Sequence, residues 1–284
     1  MRVGLFRRHA MYGLLASALG ACARPAPAPQ PAPDAASDAA LPASHDAKVD
    51  HAVRLPPLAG DWVERWTLPS GATVFVTRPL GASGPRPVVV GVHGAEDRAD
   101  WACSEWHGAV GGYAWVLCPQ GVPLRAAYAW GSSESIAKLA FEARDELRAR
   151  SGAYVAEGPL LYAGFSQGAS LASSVVAAHP GEFNRVVMVE AGHTPLSSPA
   201  VIFGLAKGKV GRALLSCSTG GCATFSTDLA LAAKRSAFEL LTNDAGRRGH
   251  VFDGVVIKSL GEAMVKLVAG DPRYDGFADA IRAR

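Results

Sequence analysis

The pentapeptide Gly164-Phe165-Ser166-Gln167-Gly168 constrains this chain more than any other segment. It lies between an apolar run, Pro159-Leu160-Leu161-Tyr162-Ala163, and a small-residue stretch, Ala169 to Ala178, that can form a helix. A strand that turns straight into a helix forces the two elements together, and glycines two residues before and after the serine leave room for that approach. The turn predicts a Ser166 hydroxyl projecting from the end of a sheet, at a helix N-terminus whose amides favour negative charge. Five such residues say little by themselves in a chain with 31 glycines. The strand before, the helix after and a histidine far downstream give them weight.

The surrounding pattern is regular from residue 61. Residues 61–68 and 72–78 flank Pro69-Ser70-Gly71 as a β-hairpin. Residues 87–92 form a short apolar run ending in His93-Gly94, as a buried parallel strand does. Further strands are expected over 113–117, 159–163, 185–189, 212–216 and 238–241. Ser132 or Ser133 can cap a helix running to about Arg150, with Ile136, Leu139, Ala140, Ala143 and Leu147 on one face. Other helices are expected over 169–178, 227–236 and 255–268. Two antiparallel strands followed by repeated β-α units imply an α/β fold: a mostly parallel sheet of about eight strands covered by helices on both faces. The 284 residues accommodate one such domain, 53–284, with no internal repeat.

The first 21 residues read as an export signal. Arg2, Arg7 and Arg8 precede a short apolar run, Met11 to Ala21, too short to span a bilayer permanently. Without those three arginines the chain holds 25 basic and 25 acidic residues, a balance that argues against nucleic acid as a partner and against a basic membrane-binding face. Leu19-Gly20-Ala21-Cys22 resembles the bacterial lipobox, and that resemblance implies a lipidated (palmitate-bearing) Cys22 as the new N-terminus. Residues 22–52, rich in alternating Pro and Ala, favour extended polyproline conformation and cannot build a core. They are expected to tether the domain in the cell envelope, with lipid as its only membrane contact. In an oxidising compartment the four remaining cysteines, Cys103, Cys118, Cys217 and Cys222, point to disulfides. Cys217 and Cys222 enclose the short loop Ser-Thr-Gly-Gly, leaving Cys103 and Cys118 as the complementary pair; a metal site is disfavoured because no histidine lies near Cys217 in sequence.

The elbow, the His93-Gly94 pair after the third strand and Gly249-His250 near the C-terminus together resemble the α/β-hydrolase superfamily, in particular its small esterase and dienelactone-hydrolase-like branches. The segment Ala191 to Lys209 is too short for a large cap domain. The resemblance implies Ser166 as nucleophile and His250 as its base, with His193 as the rival histidine. It implies an oxyanion hole from the backbone amides of Gln167 and Ala95, with His93 shaping the second of those loops. The third member of the triad stays open. The family usually places an acid after the seventh strand, but Ser216 to Cys222 contains no carboxylate. Glu190 after the sixth strand is the first candidate, Asp228 the second and Asp244 the third, and a site without an acid is a fourth possibility. Trp101, Trp106 and Trp130 are read as falling in loops at the carboxyl ends of strands, either as an aromatic wall for a substrate or as packing. Glu96, Asp97 and Asp100 form either a cation site or, more simply, a solvated acidic face.

The resulting expectation is a serine hydrolase acting on small or polymeric carboxylic esters through an acyl-enzyme, with no metal or organic cofactor. A peptidase or acyltransferase using the same triad is the near rival. A non-catalytic envelope-binding protein on the same scaffold is the distant one, favoured by the missing acid after the seventh strand.

Overall fold

The computed structural model describes residues 54–191, 199–220, 222, 229, 233 and 238–284. The export signal, Cys22, the tether, His193, Asp228 and most of the helix expected over 227–236 lie outside the described residues. No helix among the described residues is long and apolar enough to cross a membrane.

Eight strands form one sheet. β1 (Val63–Thr67) and β2 (Thr73–Thr77) make the expected antiparallel hairpin, and β2 pairs antiparallel with β4 (Trp115–Pro119). From there the sheet is parallel: β4, β3 (Val88–Val92), β7 (Leu160–Phe165), β8 (Phe183–Val189), β9 (Arg212–Cys217) and β10 (Glu239–Asp244). Strands β3, β4 and β7 carry no charged residue because both faces of the sheet are covered. On β7, Leu160 and Tyr162 enter the core shared with α2 (Ser133–Ser151) and α3 (Gln167–Ala178), while Leu161 and Ala163 enter the opposite core beneath α1 (Ala99–Ala109) and α5 (Gly254–Val268). This is the period-two alternation of a strand. Helix α4 (Pro199–Lys207) packs beside α3, and α6 (Phe277–Arg282) closes the α5 side.

Helices α4 and α6 have no counterpart in the sequence expectation, and expectation and structure differ elsewhere as well. β10 runs to Asp244, three residues beyond the expected end at 241, because an edge strand tolerates the polar Thr242 and Asn243 that ended the apolar run. β4 begins at Trp115, two residues late, because Val110 to Tyr113 make a turn closed by Tyr113 N–H donating to Val110 O at 3.0 Å. Residues 122–129 form a small hairpin, β5 (Val122–Leu124) with β6 (Ala127–Ala129), which the sequence reading did not anticipate. Residues 99–109, expected as loop, are helix α1. Its buried stripe of Ala99, Ala102, Cys103, Trp106 and Ala109 has helical spacing but is interleaved with Asp100, Trp101, Ser104, Glu105 and His107.

Trp106 is therefore not part of a substrate wall. It is fully buried, its ring lies against Gly91 of β3, and it meets Phe252 edge-on at 4.7 Å. A Cβ at Gly91 would stand 2.6 Å from the Trp106 ring, so the indole is seated where β3 has no side chain. Two disulfides join the expected partners. Cys103–Cys118 ties α1 to β4 with a Cα separation of 5.6 Å, and Cys217–Cys222 closes the loop after β9 with a Cα separation of 5.4 Å.

Alkylating the unreduced, denatured protein is accordingly expected to leave all four of these cysteines unlabelled in a peptide map. The Cys103→Ala/Cys118→Ala variant should lose about 3 kcal/mol of stability, the scale for a closed loop of this length, measured as a shift in denaturant midpoint. Alkylation at all four cysteines would overturn the pairing.

Candidate active site

Ser166 occupies the turn between β7 and α3 with φ 51° and ψ −112°, a conformation that non-glycine residues rarely adopt. The surroundings hold it there. Ser166 N–H donates to Val189 O at 2.9 Å, and the buried Tyr162 hydroxyl donates to Gly168 O at 2.7 Å. A Cβ at Gly164 would stand 2.5 Å from the Gly168 carbonyl carbon, and one at Gly168 2.6 Å from Val92 O. Both glycines are therefore required by close approach of backbone, as the sequence suggested.

His250 Nε2 lies 2.9 Å from Ser166 Oγ, so serine can donate its proton to imidazole. The ring packs against Phe165 at 5.2 Å between centroids, and Phe165 stacks in turn on Phe252. His250 is about half exposed, which leaves the serine–histidine pair open toward solvent.

Glu190 directly follows β8, at φ 59°, and its carboxyl is almost fully buried. Its Oε2 is 3.8 Å from His250 Nδ1 and accepts from the Thr219 hydroxyl at 3.0 Å. Its Oε1 accepts from both the backbone N–H and, at 2.9 Å, the hydroxyl of Ser218. These donors come from the loop after β9, where the sequence offered no acid. Asp244 turns elsewhere: it closes the turn after β10 by accepting from Gly246 N–H at 2.9 Å. Ser218 and Thr219 were not singled out in the sequence, because hydroxyls and backbone amides that support a distant carboxylate have no local signature.

On the other side of Ser166 lies the loop after β3. A Cβ at Gly94 would be 3.1 Å from Ser166 Cβ, which places this loop against the serine. Buried His93 holds it: Nδ1 contacts Gly94 O at 2.7 Å, and Nε2 accepts from Gly121 N–H at 3.1 Å. That pattern fixes the Nδ1–H tautomer, and burial pushes the imidazole below its ordinary value, so it is held neutral. Trp130, also buried, donates from its indole to His93 O at 3.0 Å, and its backbone exchanges two hydrogen bonds with the Gln167 side chain, at 2.9 and 3.0 Å. Trp130 is thus a strut between the elbow and the loop after β3. The backbone N–H groups of Ala95 and Gln167 have no acceptor among the described residues.

The remaining candidates resolve as surface chemistry. Glu96 pairs with Arg125, and Asp100 takes a two-pronged contact from Arg98 at 2.9 and 2.6 Å. Trp101, on α1, is 56 % exposed beneath the Arg98 guanidinium. Asp97 accepts from Gly94 N–H at 3.3 Å and Arg98 N–H at 2.7 Å, so it braces the loop. No group of three or more His, Cys, Asp or Glu among the described residues is placed to hold a metal ion.

No family model and no curated protein matches the sequence. Solved structures do match. The fluorophosphonate-binding serine hydrolase FphF of Staphylococcus aureus shares 13% identity over 72% of this chain and 97% of its own, with a TM-score of 0.52. A dienelactone hydrolase-like promiscuous phosphotriesterase from metagenomic libraries shares 14% identity over 77% and 98%, with a TM-score of 0.51. The BES protein of Bacillus cereus shares 11% identity over 75% and 97%, with a TM-score of 0.51. The chain has the α/β-hydrolase fold.

Glu105 lies half-buried on α1. Burial, and secondarily the negative charge of Asp97, push its carboxyl up to about 8 from an ordinary value of 4.5. The folded state therefore holds a proton that the unfolded chain releases near pH 4.5, and stability falls as pH rises from there to about 8. Glu105→Gln removes that loss. The variant is expected to match the parent in melting temperature at pH 4 and to exceed it by a few degrees at pH 9. Equal melting curves at both pH values would show that the carboxyl is not buried against charge.

Proposed function

We propose that this protein is a serine hydrolase that cleaves carboxylic esters through an acyl-enzyme intermediate. The observation that carries the reading is the 2.9 Å contact between Ser166 Oγ, on its strained turn, and His250 Nε2. A serine hydroxyl needs a base within hydrogen-bond reach to act as a nucleophile near neutral pH. In this reading Ser166 Oγ attacks the ester carbonyl as His250 takes its proton. The carbonyl oxygen becomes an oxyanion facing the N–H groups of Ala95 and Gln167, at the positive end of α3. Collapse of the tetrahedral species expels the alcohol, which receives the proton from His250. Water then attacks the acyl-serine, with His250 again as base, and releases the acid. Glu190 holds the imidazole orientation and stabilises its positive form. The fold shared with a serine hydrolase that binds fluorophosphonates supports the same chemistry, as a likeness of scaffold.

The domain is proposed to work in a bacterial cell envelope, tethered through lipidated Cys22. The support is the signal-like segment before Cys22 and the Pro/Ala-rich stretch after it.

Three measurements test these readings. The purified protein should be labelled by a fluorophosphonate probe, with labelling lost in Ser166→Ala and His250→Ala. Glu190→Gln should keep the fold and lower kcat on p-nitrophenyl acetate by roughly 10³- to 10⁴-fold. Full activity in Glu190→Gln would remove the acid from the mechanism, and an unlabelled wild type would remove the serine. Cys22→Ala should move the protein from the membrane to the soluble fraction of producing cells; unchanged membrane retention would overturn the anchor.

A further inference from the structure

Ser218 touches Glu190 and the segment that carries His250. Its backbone N–H and hydroxyl reach Glu190 Oε1. Its carbonyl oxygen accepts from Arg248 N–H at 2.8 Å and Gly249 N–H at 3.1 Å, and its hydroxyl also lies 2.7 Å from Gly249 O. The next residue, Thr219, donates to Glu190 Oε2, the oxygen that faces His250. One completely buried residue thus connects the carboxylate to the segment that delivers His250. The hydroxyl carries one hydrogen between two acceptors, so it serves Glu190 or Gly249 at any moment. The backbone N–H keeps Glu190 held in either case.

The loop that presents these donors spans only Cys217 to Cys222 and is closed by their disulfide. Cys217 is the last residue of β9, and its carbonyl accepts from Ala245 N–H at 2.7 Å, immediately after β10. One end of the loop is fixed by the sheet, and the disulfide returns the other end to the same point. The disulfide adds a covalent tie to the hydrogen bonds that seat Ser218 and Thr219 beside Glu190.

We propose that Ser218 and Thr219, presented by the Cys217–Cys222 loop, are positioning residues that lock acid and base to one another, with the disulfide as the part that holds them in place. The proposal rests on the serine-hydrolase reading above. It assigns to the loop after β9 a role in orienting an acid that stands on the neighbouring strand. The disulfide then matters for turnover, whereas Cys103–Cys118 matters for stability alone.

The test is steady-state hydrolysis of p-nitrophenyl acetate by the full chain, with melting temperature recorded for each variant. Ser218→Ala, Thr219→Val and Cys217→Ala/Cys222→Ala are each expected to lower kcat by about 10- to 100-fold, the scale for one charge-assisted hydrogen bond, with KM within about twofold of wild type. Thr219→Ser, which keeps the donor and drops only the methyl, is expected to restore kcat. Cys103→Ala/Cys118→Ala should lower the melting temperature and leave kcat in place. The proposal is overturned if the Cys217/Cys222 variant and Ser218→Ala turn over at the wild-type rate. It is also overturned if Thr219→Ser is as impaired as Thr219→Val, which would assign the loss to packing. A wild-type protein that neither hydrolyses the ester nor reacts with fluorophosphonate brings down the proposed function itself, a result distinct from wild-type activity that these substitutions leave unchanged.

Discussion

The contact between the end of β7 and the start of α3 is the constraint on which the rest of the structure depends. Gly164 and Gly168 let two backbones meet at distances that no side chain would permit. Adding one methyl group at such a point costs on the order of 1–3 kcal/mol, because neither strand nor helix can retreat. The strand cannot move because β3 and β8 are hydrogen-bonded on either side of it, with Val92 beside Gly164 and Val189 beside Phe165. The helix cannot move because Ala169, Ala172 and Val176 are buried against the sheet. The strained backbone of Ser166 is thereby fixed by packing on all sides, and the position of its hydroxyl is set before any ligand arrives.

The structure repeats this logic on either side of the serine. Toward β3, a neutral buried histidine and a buried tryptophan hold the loop of Gly94 and Ala95. A charged histidine could not accept from Gly121 N–H, so the low-dielectric setting that keeps His93 neutral is also what lets it brace the loop. Toward β9, a buried carboxylate is surrounded by hydroxyl and amide donors. Each support is a polar group removed from water, and each is matched by a partner, as buried polar groups require.

Much of the fold was legible because its signals are local and periodic. The apolar runs at 87–92, 159–163, 185–189 and 212–216 each became a strand of the parallel sheet, since a strand buried on both faces has no polar alternation to misread. Ser132 caps α2 by accepting from Ser135 N–H at 3.2 Å, as the sequence predicts for a serine ahead of an amphipathic stretch. Helix α1 was not legible, because three of its eleven positions are ionisable and one of its two tryptophans, Trp101, points to solvent while the other, five residues on, is buried. The short β5–β6 hairpin was missed because Pro123 interrupts it and its three-residue strands carry no period. Ser166 and His250, singled out by motif and position, lie within hydrogen-bond distance of each other. Their supporting donors were not singled out, because Ser218 and Thr219 are 28 and 29 residues from Glu190, and only strand order makes them neighbours.

That strand order also explains how an acid after β8 can stand where the resemblance led one to expect an acid after β9. The two strands are adjacent and in parallel register, with Val189 opposite Ser216. Adjacent strands lie about 4.8 Å apart, a distance that one extended side chain can bridge. Glutamate, with one more methylene than aspartate, reaches from the end of β8 to within 3.8 Å of His250 Nδ1. Moving the acid back by one strand leaves the β9 loop without a charge of its own to present. That loop supplies hydrogen-bond donors instead, and an uncharged Ser-Thr-Gly-Gly sequence closed by a disulfide suits that task. The absence of a carboxylate between Ser216 and Cys222 is thus the complement of Glu190: a second carboxylate there would face the first at close range and raise the cost of ionising either.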